Sequence, residues 1–339
     1  MKTKLVVLTL LLSAAPAHAA TPLFSSDDPI RLTIGGPIGP IARSAEDSTE
    51  AKPGTLTLAG STPLPIRLSA RGITRRRSDT CQFPPLRVDF TGAPPATTLF
   101  AGQRRLKLVT HCRSSASFQQ YLLMEYSAYR LFNLVTPVSF RARLATVDYV
   151  DPGGKPITTR WGFFIEDKDD VARRNNLRPA NVGDRISSTQ LEARQAARVA
   201  MFEYMIGNLD WSMIAGPRGE GCCHNSRLAS GAGGTLIPFP YDFDYSGLVD
   251  APYAVPPEGF KISSVRRRIY RGHCRHNAEA LAAAAEFRSK RPAIEALFGQ
   301  VPGLEEKTRR SAIAYLGGFF ADIATDDAVR TKLLKACLN

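Results

Sequence analysis

The chain has 339 residues, 44% hydrophobic and 22% charged, with a formal net charge of +13 at pH 7. That balance excludes an intrinsically disordered chain, because enough apolar surface is present to offset the entropy of ordering. Beyond residue 20 no apolar run reaches the roughly 20 residues that cross a bilayer as a helix.

Residues 1–20 read as a secretory signal. Lys2 and Lys4 form the basic start, 5–15 the apolar stretch, and Ala17-His18-Ala19 the small-x-small cleavage site. Its removal leaves an exported, soluble chain of bacterial type, expected in the periplasm or outside the cell. About 320 residues remain, room for one enzyme-sized unit or two ordinary domains.

Residues 21–60 are expected to form an N-terminal extension with one strand, 30–34, then a Gly/Pro-rich segment with an acidic patch at Glu46, Asp47 and Glu50. Residues 61–170 are strand-rich. The segments 66–70 and 86–90 alternate apolar and polar residues, and 106–109 is a short apolar run. A helix is predicted over 117–132, where Leu122, Leu123, Tyr126, Tyr129 and Phe132 share one broad face. Strands over 136–150 and 158–165 flank a turn at Asp151-Pro152-Gly153-Gly154. Glu166, which opens an acidic tail to Asp170, reads as a solvated strand end.

From 171 to 339 helices dominate. One is expected over 188–206 with Ser187 or Ser188 as N-cap, and others over 276–298, 305–324 and 326–337; a short buried strand covers 236–241. A strand-rich first part, a helix-rich second part and polar motifs after the crossing predict an α+β, bilobed arrangement with a cleft between the lobes.

All six cysteines follow the signal segment, and no Cys-x-x-Cys spacing points to zinc, so disulfides are expected. The expected pairs are Cys81 with Cys112, and Cys274 with one of Cys222 and Cys223, whose adjacency suggests different partners. Arginine dominates the positive charge, in clusters at 71–77, 104–105, 173–174 and 266–268. Export argues against nucleic acid as partner and favours an anionic envelope polymer or an acidic protein. A solvated basic face is the plainer account of the outlying runs; 71–77 stays open between that and phosphate binding.

The stretch 205–250 carries the chemistry. Asp210 ends Ile206-Gly207-Asn208-Leu209, Asn225 follows Cys222-Cys223-His224, and Asp242 and Asp244 alternate in Pro240-Tyr241-Asp242-Phe243-Asp244. Phosphoryl transfer needs one carboxylate to orient the attacking hydroxyl, and an amide and a carboxylate to hold the metal on the phosphates. Each residue also has a plainer role: Asp210 as a cap, Asp242 and Asp244 as a turn pair, His224 and His111 as structural neighbours of cysteines, Trp211 as packing.

These segments, taken in order with Arg71-Gly72-Ile73-Thr74, Phe83 to Val88, Leu106 to Val109 and Trp161 to Glu166, resemble the spore-coat CotH kinase-like family over roughly residues 60–250. The resemblance implies a bilobed protein-kinase-like fold, with a strand-rich N-lobe over 61–170 and a helical C-lobe over 171–339 carrying the active site. It also implies phosphorylation with ATP and Mg2+ or Mn2+ of a hydroxyl on a protein or an anionic envelope polymer. By position, Asp210 would orient the nucleophile, and Asn225 and Asp242, with Asp244 as rival, would hold the metal. Lys107 would pair with phosphate and Glu125 would orient that lysine. The chain departs from the family at Pro84-Pro85, where lysines are usual, which leaves Arg87 as the nearby cation. The alternative class is a binding or scaffold protein of the same shape without turnover, since the periplasm holds little ATP.

Overall fold

Period-two alternation builds the first half of the molecule. A computed structural model describes residues 19–339, so the signal expected over 1–20 lies almost wholly outside the described residues. In chain order come β1 (Ile30–Gly35), α1 (Ile38–Arg43), β2 (Lys52–Leu58), β3 (Leu64–Ala70), β4 (Leu86–Phe90), β5 (Arg105–Val109), α2 (Ala116–Val135), β6 (Ala142–Val150) and β7 (Pro156–Ile165). The seven strands close into a barrel in the order β1-β2-β3-β4-β5-β7-β6. Neighbours are antiparallel except at the seam, where β1 runs parallel to β6 from Ile30 opposite Ala145 to Gly35 opposite Val150. Leu32, Leu56, Leu68, Val88, Leu106 and Leu108 belong to the core cluster of the barrel. Successive side chains alternate faces, so Arg87 and Lys107 take the outer face of β4 and β5.

This closure overturns the bilobed kinase-like expectation, because a seven-stranded mixed barrel is not a kinase N-lobe. Residues 21–60, read as an extension with one strand, supply two staves and the seam. Pro53 and Gly54 hide β2 in the sequence, since both residues weaken a strand signal. Gly54 is there for close approach: a Cβ on it would lie 2.6 Å from the Gly35 carbonyl oxygen of β1.

The second half contains α3 (Lys168–Arg174), β8 (Arg178–Pro179), α4 (Ala193–Ile206), β9 (Ser226–Ser230), β10 (Leu236–Pro240), α5 (Asn277–Leu297) and α6 (Glu306–Asp322). The last three strands form a small antiparallel sheet, order β10-β9-β8. Helix α4 packs on α5 and α6, and α2 packs on α5, over a second and larger apolar core. The helix expected over 188–206 is divided. Ser187 caps a single 3-10 turn, Leu191 is extended, and Glu192 then caps α4 by accepting from the amides of Arg194 and Gln195. Glu166 is not a solvated strand end. It is fully buried, and Arg174, brought back by α3, grips it with Nε at 2.9 Å and Nη2 at 3.0 Å.

Three disulfides close the chain: Cys81–Cys112, Cys222–Cys223 and Cys274–Cys337. The first is as expected. The adjacent pair bonds to itself, so Cys274 takes the C-terminal Cys337 in place of either member. Three disulfides fit an oxidising, exported location, and no helix among the described residues is long and apolar enough to cross a membrane. The Cys274–Cys337 bond spans 63 residues and ties Cys337 to the 3-10 turn that leads into α5. Converting both to serine is expected to lower unfolding free energy by about 4 kcal/mol in urea melts, from the loop entropy returned to the unfolded chain.

His111 is buried against Phe83, ring centroids 4.4 Å apart, and burial pushes its pKa from 6.5 down to about 4. Because the folded value is depressed, this histidine's contribution is complete above pH 6.5 and is lost as pH falls towards about 4. The loss is up to about 3 kcal/mol. Urea melts across that window should show a flatter acid limb for His111→Phe; an unchanged limb would refute the assignment.

Candidate functional site

The site begins at the end of α4. Gly207 adopts a left-handed conformation at φ 66°, which stops the helix and turns the chain out of it. A Cβ at this position would collide with the Tyr315 hydroxyl, so the turn also needs the missing side chain. Asn208 then organises the loop: its Oδ1 accepts the Asp210 amide at 3.0 Å, and its carbonyl accepts Trp211 Nε1 at 3.0 Å. Arg271 donates to the carbonyls of Leu209 and Trp211 at 2.8 and 2.7 Å. Asp210 is thereby presented by a fixed loop.

The Asp210 carboxylate has two partners. Its Oδ1 lies 2.7 Å from His224 Nε2, and its Oδ2 accepts Asn225 Nδ2 at 3.0 Å. The same Asn225 nitrogen donates to the Asp210 carbonyl at 2.7 Å. The amide nitrogen is thus committed to Asp210, and the amide oxygen is the end left to a ligand. Hydrogen bonding to Asp210 raises the His224 pKa above its ordinary value, so the imidazolium is favoured where it supports the Asp210 charge. His224 therefore belongs to the site, contrary to its reading as a structural neighbour of cysteines. Its position directly before Asn225 was the available signal.

Asn225 and Asp242 hold φ of 46° and 66°, left-handed backbone that non-glycine residues adopt rarely. They stand at facing ends of paired strands: Asn225 just before β9 and Asp242 just after β10, with the Tyr241 amide donating to the Asn225 carbonyl at 3.0 Å. Asp242 donates its own amide to the Tyr129 hydroxyl of α2 at 3.0 Å. Backbone in this uncommon region, held by the surrounding hydrogen bonds, is concentrated where ligands bind.

Behind Asp242 lies a buried charge cluster. Arg75 is 8% exposed and reaches Glu125 at 3.0 and 3.2 Å, Asp244 at 3.2 Å and Asp242 at 3.4 Å. Glu125, Asp242 and Asp244 offer carboxylate oxygens within 4.8 Å of one another. Burial first, and then the neighbouring Asp242 and Glu125 carboxylates, push the Asp244 pKa up against the opposing pull of Arg75. Arg75 lies inside the open 71–77 run, and no periodicity marks it out from its neighbours.

The expected residues therefore divide. Asp210, Asn225, Asp242 and Asp244 line one cavity of about 490 Å³, together with Arg71, Arg75, His224 and Arg227. Glu125 lies behind the lining and pairs with Arg75 rather than with Lys107. Lys107 stands on the outer face of β5 opposite Arg87, within electrostatic reach of Asp242. Arg87 points elsewhere: its Nε pairs with Asp89 at 2.7 Å, and Asp89 also takes Arg105 at 2.7 Å.

Part of this donor set fits a divalent metal. The Asp242 side chain is 42% exposed and holds only the long Arg75 contact, and the Asn225 amide oxygen is uncommitted, so these two fit a hard, oxygen-seeking cation. Asp244 and Glu125 are already neutralised by Arg75, at side-chain exposures of 7% and 2%. They fit an ion only as support behind Asp242. No protein-family model matches this chain, and no curated protein matches it.

Proposed function

We propose that the chain is an exported, metal-dependent phosphotransferase that moves a phosphoryl group from an ATP-type donor to a hydroxyl on a protein or envelope polymer. The supporting observation is the convergence of Asp210, Asn225 and Asp242 on one cavity. The reading takes phosphoryl chemistry from the CotH resemblance on the strength of side chains alone, without its fold. Mg2+ or Mn2+, held by Asn225 and Asp242, would neutralise charge on the phosphates.

The chain's own residues supply the rest. Asp210, fixed by Asn208 and Asn225, orients the acceptor hydroxyl and takes its proton as the new O–P bond forms. The donor's bridging oxygen departs with the electrons of the broken bond. His224, whose pKa is raised by its hydrogen bond to Asp210, holds that carboxylate in place beside the acceptor. Positioning and charge neutralisation carry such a transfer, because little covalent chemistry is left to the protein.

Incubation with γ-labelled ATP and Mg2+ or Mn2+ should place label on the chain itself or on an added envelope fraction. Asp242→Ala should abolish labelling, and chelator should do the same. A second reading, a binding protein without turnover, draws on Arg75 already neutralising Glu125 and Asp244. It predicts a thermal shift with nucleotide, about 2.7 kcal/mol at 100 times Kd, with no label transferred under any metal.

A further inference from the structure

A carboxyl lies buried beside the Asp210 loop. Glu203 stands in the last turn of α4, and its side chain is fully buried. Its neighbours on that helix, Phe202, Met205 and Ile206, belong to the larger apolar core. Among the described residues, no group completes a hydrogen bond to either carboxyl oxygen. An apolar side chain would fill this place at lower cost, so a carboxyl kept here has some other use.

That use lies in Asn208, itself only 1% exposed. Gly207 turns the chain out of α4 and brings Asn208 back over the last turn, where its backbone amide donates to the Glu203 carbonyl at 2.9 Å. The Asn208 side chain has two unlike ends. Its Oδ1 accepts the Asp210 amide. Its Nδ2 faces the Glu203 carboxyl, near enough to draw that pKa down though short of full hydrogen-bond geometry. Turning the amide over would set its N–H groups against the N–H of Asp210 and break that contact. An acceptor on α4 therefore holds Asn208 the right way round. Burial pushes the Glu203 pKa well up, opposed by Asn208 and Arg271 and aided by Asp210. Burial thus favours the neutral acid, which keeps one oxygen as an acceptor. Arg271 secures the later part of the loop through the carbonyls of Leu209 and Trp211.

We infer that Glu203 is a positioning residue: it orients the Asn208 amide, and Asn208 in turn sets the backbone that presents Asp210. This role rests on the proposed transfer only for what Asp210 does to the acceptor.

Two substitutions in the full mature chain test it. Glu203→Gln keeps an acceptor oxygen at the same reach, and Glu203→Met keeps the length without the acceptor. In single-turnover labelling, Glu203→Met should be slowed about 100-fold, the cost of misplacing a reacting group by about 1 Å. The donor concentration for half-maximal rate should stay within about twofold. Glu203→Gln should retain most of the rate. The urea midpoint of Glu203→Met should equal or exceed that of wild type, because an apolar group replaces a buried polar one. A residue that only supported the fold would lose rate and stability together.

Trp211 gives a readout independent of transfer, because its Nε1 donates to the Asn208 carbonyl. The chain has two tryptophans, so Trp161→Phe assigns the Trp211 indole proton signal. Glu203→Met should shift that signal and speed its exchange with solvent about tenfold, and Glu203→Gln should leave both unchanged. Glu203→Asp, one methylene shorter, serves if Glu203→Met does not fold, with the same losses of rate and protection expected. A full rate in folded Glu203→Met, an equal loss in Glu203→Gln, or a Trp211 signal indifferent to Glu203→Met would overturn the positioning role. If the wild-type chain transfers no label, the transfer reading falls, and the Trp211 signal alone then decides for or against Glu203.

Discussion

Replacing Asp210 by Asn is expected to slow phosphoryl transfer about 1,000-fold, in the range usual for losing a positioned general base. The fold and ligand affinity should stay close to wild type. An amide keeps an acceptor oxygen for Asn225, which now sits 3.0 Å from Oδ2, but it cannot take a proton from the acceptor hydroxyl. The rate should be measured in single turnover at saturating donor, so that product release does not mask the chemical step. Unfolding midpoints of the two proteins should agree. Retention of more than about a tenth of the wild-type rate would show that Asp210 serves the loop and not the reaction.

Arg75→Ala should lower stability by about 4 kcal/mol. Removing the guanidinium leaves Glu125 and Asp244 buried with no cation against them, and an uncompensated buried charge costs more than the pair contributes. Urea melts would measure the loss. Glu125→Gln in the Arg75→Ala background should recover part of it by removing one of the stranded carboxylates, an interaction that a double-mutant cycle reads directly. A loss below about 1 kcal/mol would show that the cluster relaxes to solvent once the arginine is gone. The same arginine bears on the site, since it fixes Glu125 and Asp244 behind Asp242 while leaving Asp242 turned to the cavity. Arg75→Lys should therefore keep most of the charge yet lose the three-way grip.

Some of this was legible residue by residue. The alternation in 66–70 and 86–90 marks β3 and β4, because a strand with one face on a core must repeat every second residue. The helix holding Glu125 was visible from its broad apolar face. Asp210, Asn225 and Asp242 could be grouped because a helix end and one hairpin bring them together over a short stretch of chain. Arg87 shows the opposite case. As a cation on the right strand it was a reasonable phosphate contact, yet Asp89 two residues on shares its face and satisfies it.

The longer connections were hidden. β2 reads as a Pro/Gly segment because Gly54 answers to the Gly35 carbonyl of β1, a constraint that local pattern does not carry. Arg75 was one arginine among several, and only the packing of its turn against α2 makes it the partner of Glu125. The adjacent cysteines were separated on a local argument, whereas the C-terminal Cys337 reaching Cys274 left them to each other.

By itself the amino-acid order determined most of the barrel strands and the long helices, that the thiols pair off, and which polar residues of 205–250 can share a site. All three follow from short-range periodicity and chemistry. Tertiary structure alone decided that β1 meets β6 to close a barrel, and that Arg75 and not Lys107 faces Glu125. Both outcomes depend on which strand edges and buried charges remain unsatisfied after the nearer contacts have formed, a quantity no local window of residues contains.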